Sequence, residues 1–165
     1  SSMKKFFAVA FVVLISIFIF AMSFKSQKDI HFYLSSQSPS STSSTTQNTD
    51  YSYISCEPRV AVLQKAKARN ASLEGSLNWL FSYKTPKVAG YNNPFYASAL
   101  TAKVTQDETG HVINITGTPM LESECLAEDF KVLIQQTIQH YLKTQTYEIR
   151  LNNSAQAFQN FSELK

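Results

Sequence analysis

Glu57–Tyr83 reads EPRVAVLQKAKARNASLEGSLNWLFSY, and the fold turns on how it divides. Pro58 stands where proline favours the first turn of a helix, and the Ala, Lys, Arg and Leu that follow are helix formers. Arg59–Asn70 therefore predicts a helix, although Arg59–Val62 could also extend. Leu73, Gly75, Leu77, Trp79, Phe81 and Tyr83 then alternate with Glu74, Ser76, Asn78, Leu80 and Ser82. A period of two predicts a strand with one buried face.

Downstream, Lys84–Pro94 holds two prolines, a glycine and two asparagines, which predicts a loop. Phe95–Thr105 and His111–Thr118 flank Gln106–Gly110, as in a hairpin with a five-residue turn. Across Ser123–Lys143, Leu126, Phe130, Leu133, Ile134, Ile138, Tyr141 and Leu142 recur at helical spacing. Thr146–Leu151 alternates again, Asn152–Ser154 is a turn, and Phe158 and Phe161 are expected to pack back. The expected fold is α+β, a small curved antiparallel sheet with packed helices.

Upstream lies Met3–Phe24, MKKFFAVAFVVLISIFIFAMSF. Phe6–Phe24 carries no charge; as a helix it would reach roughly 28 Å, close to a bilayer core of ~30 Å. Lys4 and Lys5 bias the N-terminus to the cytoplasm. A cleaved secretory signal is the alternative, with Ala21-Met22-Ser23 as a small-x-small site. Either way the rest of the chain is exported. Residues 36–49, SQSPSSTSSTTQNT, cannot bury enough apolar surface to order themselves. The expected organisation is a stub over 1–5, an anchor over 6–24, a linker over 25–49 and one domain over 50–165. A domain of about 115 residues supports one modest core.

An even cysteine count in an exported domain predicts a Cys56–Cys125 disulfide. It would close a loop of about 70 residues, contributing on the order of 4 kcal/mol by chain entropy. Net charge is +3, partly beside the apolar segment, which argues against a nucleic-acid binder. Gly-x-Ser-x-Gly, His-Glu-x-x-His, phosphate-loop and CxxC patterns are absent from the sequence. Glu122, Glu124, Glu128 and Asp129 read as complements to a helix dipole rather than a paired-carboxylate site. No catalytic residue, metal site or cofactor is expected, and a cysteine nucleophile paired with His140 fits an oxidising compartment poorly.

Two groups of residues remain. Trp79, Phe81, Tyr83, Phe95, Tyr96 and Tyr147 could line an edge or cavity for a partner or apolar ligand, or simply fill a core. His31, His111 and His140 are candidate pH-sensing groups, because imidazole ordinarily titrates near ~6.5. Arg59, Lys65, Lys67 and Arg69 read as a solvated face, with an acidic partner surface as the alternative. Asn70, Asn114, Asn152 and Asn160 sit in N-x-Ser/Thr sequons, which matter only in a eukaryotic secretory pathway.

The opening MKKFFAVAF, the single apolar span, the polar segment, the small exported α+β domain and the cysteine pair together form a layout. It resembles the membrane-anchored periplasmic companions of ToxR-like transcription activators, the ToxS and VtrC group, and most of all the PsaF/MyfF proteins. The resemblance covers the whole layout and no short motif. It implies a bacterial inner-membrane protein with its C-terminal domain in the periplasm. The implied partner is a PsaE/MyfE-like bitopic activator, bound one-to-one through its periplasmic domain. In the VtrA/VtrC pair the two periplasmic domains jointly form a lipocalin-like barrel that binds bile salt, so a small amphiphilic ligand is also implied. In the PsaE/PsaF and MyfE/MyfF pairs the output is transcription of an adhesive fimbria, in response to acid pH and temperature. The competing reading is a minor pilin or secretion-system subunit, although Phe6–Phe24 lacks the glutamate usual near the start of a mature type IV pilin.

Overall fold

Arg59–Ala68 is a strand and Leu73–Ser82 a helix, the reverse of the sequence expectation at both places. The computed structural model describes residues 2–23, 26–37, 49–51 and 59–163. Strand β1 (Lys28–Gln37) pairs antiparallel with β3 (Arg59–Ala68) through ten consecutive residues, from Lys28↔Ala68 to Gln37↔Arg59. That ladder outweighs the helix preference of Ala, Lys and Gln, worth only tenths of a kcal/mol per residue (roughly 0.7 at most). Strand β2 (Thr49–Tyr51) pairs with the start of β3.

Helix α2 (Leu73–Ser82) begins at Ser72, whose side chain accepts a hydrogen bond from the Gly75 amide at 3.0 Å. Leu73, Leu77, Leu80 and Phe81 form its buried stripe. Leu73, Leu77 and Phe81 fit a period of two as well as one of 3.6, which is why alternation misled; the N-cap serine decides for the helix. Gly75 is required by a close approach: a Cβ there would lie 2.0 Å from the Asn70 carbonyl oxygen.

Strands β4 (Lys87–Val88) and β5 (Tyr91–Asn92) form a small hairpin. Ala89 and Gly90 both have positive φ at its turn. β5 joins β1 at Ser35, completing a five-stranded antiparallel sheet ordered β2-β3-β1-β5-β4.

The second sheet is β6-β7-β8. β6 (Ala99–Asp107) and β7 (Gly110–Thr118) form the expected hairpin, with a tighter turn at Glu108-Thr109 than predicted. The Asp107 carboxylate accepts hydrogen bonds from the Thr109 and Gly110 amides, at 2.8 and 3.1 Å, and closes that turn. β8 (Tyr147–Leu151) runs parallel to β7, so the fold is not purely antiparallel. A parallel neighbour needs a crossover, and α3 (Glu124–Leu142) supplies it. Helix α4 (Ala155–Gln159) and a 3₁₀ turn (Asn160–Glu163) end the described chain. Phe158 and Phe161 are buried, as expected. Phe81, Phe95, Phe130 and Phe161 run through the core ring to ring, with successive centroids 5.2, 5.2 and 4.6 Å apart.

The expected linker over 25–49 needs redrawing. Lys28–Gln37 is the middle strand of the larger sheet, with Ile30, Phe32 and Leu34 buried. The domain therefore begins at Lys28, and the Ser/Thr-rich stretch joins β1 to β2; residues 38–48 lie outside the described residues. Helix α1 (Ser2–Ser23) precedes the domain, and Phe6, Phe7, Phe11, Leu14 and Phe18 are exposed on it. Among the described residues no helix is long and apolar enough to cross a membrane, and neither sheet closes into a barrel.

Candidate functional site

β3 covers one edge of β1 along its whole length, and β5 meets the other edge only at Ser35. The rest of that second edge is capped by side chains of α3. The Tyr33 amide donates to Thr137 Oγ1 at 3.2 Å, and the His31 amide donates to Tyr141 Oη at 3.0 Å. Ser35 Oγ donates to Asp129 Oδ2 at 2.9 Å. Two residues of strand advance ~6.6 Å and four residues of helix ~6 Å, so Tyr141 and Thr137 meet successive outward amides of β1. Asp129 continues the same stripe of α3 and is also ion-paired with Arg59 of β3. Thr137 and Asp129 are both 0% exposed. The inner edge of β6 is covered in the same manner by α2. Asn78 exchanges two hydrogen bonds with the Ala102 backbone, at 2.8 and 2.9 Å, and Glu74 Oε2 accepts from the Val104 amide at 2.8 Å.

Beside the capped edge lie two of the three histidines. The His31 and His140 rings stack with centroids 4.7 Å apart and a 38° tilt. Tyr33 meets His140 edge-on at 6.4 Å, and Tyr141 does so at 5.5 Å. The charged groups nearby come from all three elements. β1 supplies Asp29; β3 supplies Lys65 and Lys67, 3.7 and 2.7 Å from that carboxylate; α3 leads into Lys143. The Lys67 hydrogen bond, aided by the charges of Lys65, Lys67 and His31, holds the Asp29 carboxyl below its usual range against the opposing effect of burial. Burial first, then the charges of His31 and Lys143, push the His140 imidazole below its ordinary value. Two imidazoles this close disfavour double protonation. His111 opens β7 in the other sheet, with Nδ1 buried and without a hydrogen-bond partner.

The sequence reading placed His31 in a linker and gave no reason to join it to His140. The readable signal was on α3: Asp129, Thr137 and Tyr141 put polar atoms at four- and eight-residue steps along an otherwise apolar face.

The six candidate surface aromatics do not converge. Phe81 and Phe95 are core residues. Trp79 Nε1 donates to Tyr83 Oη at 2.9 Å, Tyr96 Oη donates to Glu122, and Tyr147 Oη accepts from Gln139 at 3.3 Å. Trp79 alone of them lines an open cleft of about 620 Å³, together with Lys67, Arg69, Asn70 and Asn78. Cys125 is disulfide-bonded, and Cys56 lies outside the described residues. Among the described residues, no three His, Cys, Asp or Glu side chains are placed to hold a metal.

The arrangement joins a buried, fixed contact at one end of the α3–β1 junction to a titratable pair at the other. Compared with protein-family models, characterised proteins and solved structures, the chain has no match.

Proposed function

We propose that this protein is a non-enzymatic co-regulator of the bacterial inner membrane, anchored by the apolar run Phe6–Phe24, with Lys28–Lys165 in the periplasm. It binds and stabilises the periplasmic domain of a ToxR-like, PsaE/MyfE-like activator and tunes it to acid. The observation that carries the acid response is the stacked His31–His140 pair, which bridges β1 and α3. The partner rests on the resemblance in layout. An exposed apolar helix such as α1 calls for a covering phase, and Phe6–Phe24 suits a bilayer.

The physical route is a population shift. Acid adds a proton to a crowded, partly desolvated imidazole pair, which loosens the seam between α3 and β1. A partner that binds one arrangement better than the other reads that change. Because α3 and α2 occupy the inner edges of β1 and β6, a partner strand would add at an outer edge. The part of β3 beyond Ala61 and the far side of β8 are the candidates. Such an addition is the route by which two chains could complete a barrel and enclose an amphiphile.

The test is an affinity capture of the full chain from native membranes at neutral and mildly acidic pH. Co-purification of a single-span protein with a cytoplasmic DNA-binding domain supports the reading. Recovery that changes with pH in the wild type, and no longer does in His140→Gln, supports the acid mechanism. Capture of pilus or secretion subunits instead would reject it.

A further inference from the structure

We infer that the end of the domain carrying Lys28, Lys67, Arg69 and Trp79 rests on the bilayer and takes the phosphate of an anionic phospholipid. The inference depends on the anchored reading of Phe6–Phe24 given above.

Chain geometry comes first. Helix α1 ends at Ser23 and β1 opens at Lys28, so only four residues separate them. Fully extended, that tether spans about 17 Å. The domain therefore cannot float away from its anchor on a long polar leash, because the Ser/Thr-rich stretch follows β1 in the sequence rather than preceding it. Lys28 pairs with Ala68, so Lys67 and Arg69 at the end of β3 lie at the same, membrane-proximal end.

Chemistry comes second. Four cations, Lys28, Lys65, Lys67 and Arg69, stand at or near this end with the carboxylate of Asp29, while Glu74 beside the cleft is held by Lys103 and the Val104 amide. Lys67 keeps 62% of its side chain exposed even while it pairs with Asp29. The cleft between the end of β3 and α2 is shaped by Gly75, which lets the Asn70 backbone lie against the helix. It brings Lys67 and Arg69 together with Asn70 and Trp79, while Asn78, which also lines it, holds the Ala102 backbone. Paired cations suit a phosphodiester, and an indole suits the headgroup level of a membrane. A short tether delivering a basic, Trp-bearing cleft to the surface is the arrangement a lipid headgroup would fill.

Trp79 is the only tryptophan, so its fluorescence reports on this cleft alone. The full chain is reconstituted into phosphatidylcholine vesicles, with or without phosphatidylglycerol, and Trp79 is challenged with lipids spin-labelled near the headgroup or deep in the tails. The expected result is a blue shift in the anionic vesicles and quenching by the shallow label well above that by the deep one. Lys67→Gln and Arg69→Gln should each shift the docked-to-undocked ratio about fivefold, and together should remove the dependence on anionic lipid. The same Trp79 signal in both vesicle types would overturn the inference, as would a double variant that keeps the anionic effect. Inorganic phosphate added to the detergent-solubilised chain should leave the emission unchanged; if it reproduced the shift, the cleft would be a soluble-anion site and lipid docking would be rejected. Flotation with vesicles after an alkaline wash separates the two levels. A chain that fails to float sinks the anchor and the docking together, whereas one that floats with Trp79 unquenched sinks the docking alone.

Discussion

The two ends of α3 grip the same strand by different chemistry. Toward the N-terminus, Asp129 is fully buried and bound to Arg59 and Ser35, one turn after the disulfide-bonded Cys125. Toward the C-terminus, two neutral hydroxyls, of Thr137 and Tyr141, cap backbone amides of β1, and His140 stacks on His31. A buried ion pair is costly to break. Hydroxyl caps are individually modest, and an imidazole pair beside them can be loosened by a proton. The difference assigns one end to holding and the other to sensing.

The largest effect should come from breaking the holding end. Asp129→Ala leaves Arg59 without its buried partner and Ser35 Oγ without its acceptor. The expected loss is about 3–5 kcal/mol, read as a lowered urea midpoint. If the midpoint does not move, the ion pair does not hold the helix to the sheet and the contrast fails. Thr137→Val comes next. It is nearly isosteric but leaves the Tyr33 amide buried without an acceptor, at a cost of about 1–3 kcal/mol. Amide exchange at Tyr33 should accelerate, and unchanged exchange would show that water or a shifted backbone replaces the cap. Tyr141→Phe removes the acceptor of the His31 amide and the 2.5 Å partner of Ser76 Oγ. Ser76 is fully buried, but its Oγ keeps the Ser72 carbonyl as an acceptor at 2.9 Å, and His31 is only half-buried, so the expected loss is smaller, about 1 kcal/mol.

The same contrast explains what the sequence disclosed. The hairpin β6–β7, helix α3, strand β8 and the return of Phe158 and Phe161 are local patterns of turn residues and apolar period, and each was legible. The segment Glu57–Tyr83 was not, because its ambiguity is settled from elsewhere. Whether Arg59–Ala68 extends depends on β1, and β1 had been lost to a linker by its polar neighbours, Ser35 to Gln37. With β1 unseen, the strand nature of β3 had no support, and the swap at α2 followed. Pro58 precedes the strand rather than starting a helix, while the Ser72 cap was present in the sequence and outweighed by an alternation that also fits a helix. The histidine pair was hidden for the same reason. It joins positions 109 residues apart, which no local pattern reports.

The smallest effect at neutral pH, and the most specific, belongs to His140. Its imidazole is pushed below the ordinary value by burial and by the charges of His31 and Lys143, so the unfolded chain takes up its proton first. Well above about pH 6.5 both states are neutral at this position and it contributes no pH dependence. As pH falls through that value the unfolded state is favoured, and the loss is complete only below the depressed folded value. The wild type should thus lose stability as pH falls through about 6.5 toward the depressed folded value, and His140→Leu should lose less, with little change at neutral pH. His31→Gln sharpens the point. It removes the charge of His31, second to burial in its effect on His140, so the folded value should rise part of the way back and the acid loss should shrink without vanishing. If instead His31→Gln leaves the pH profile of the wild type intact while His140→Leu flattens it, His140 senses acid by desolvation alone and the stacked pair is only packing.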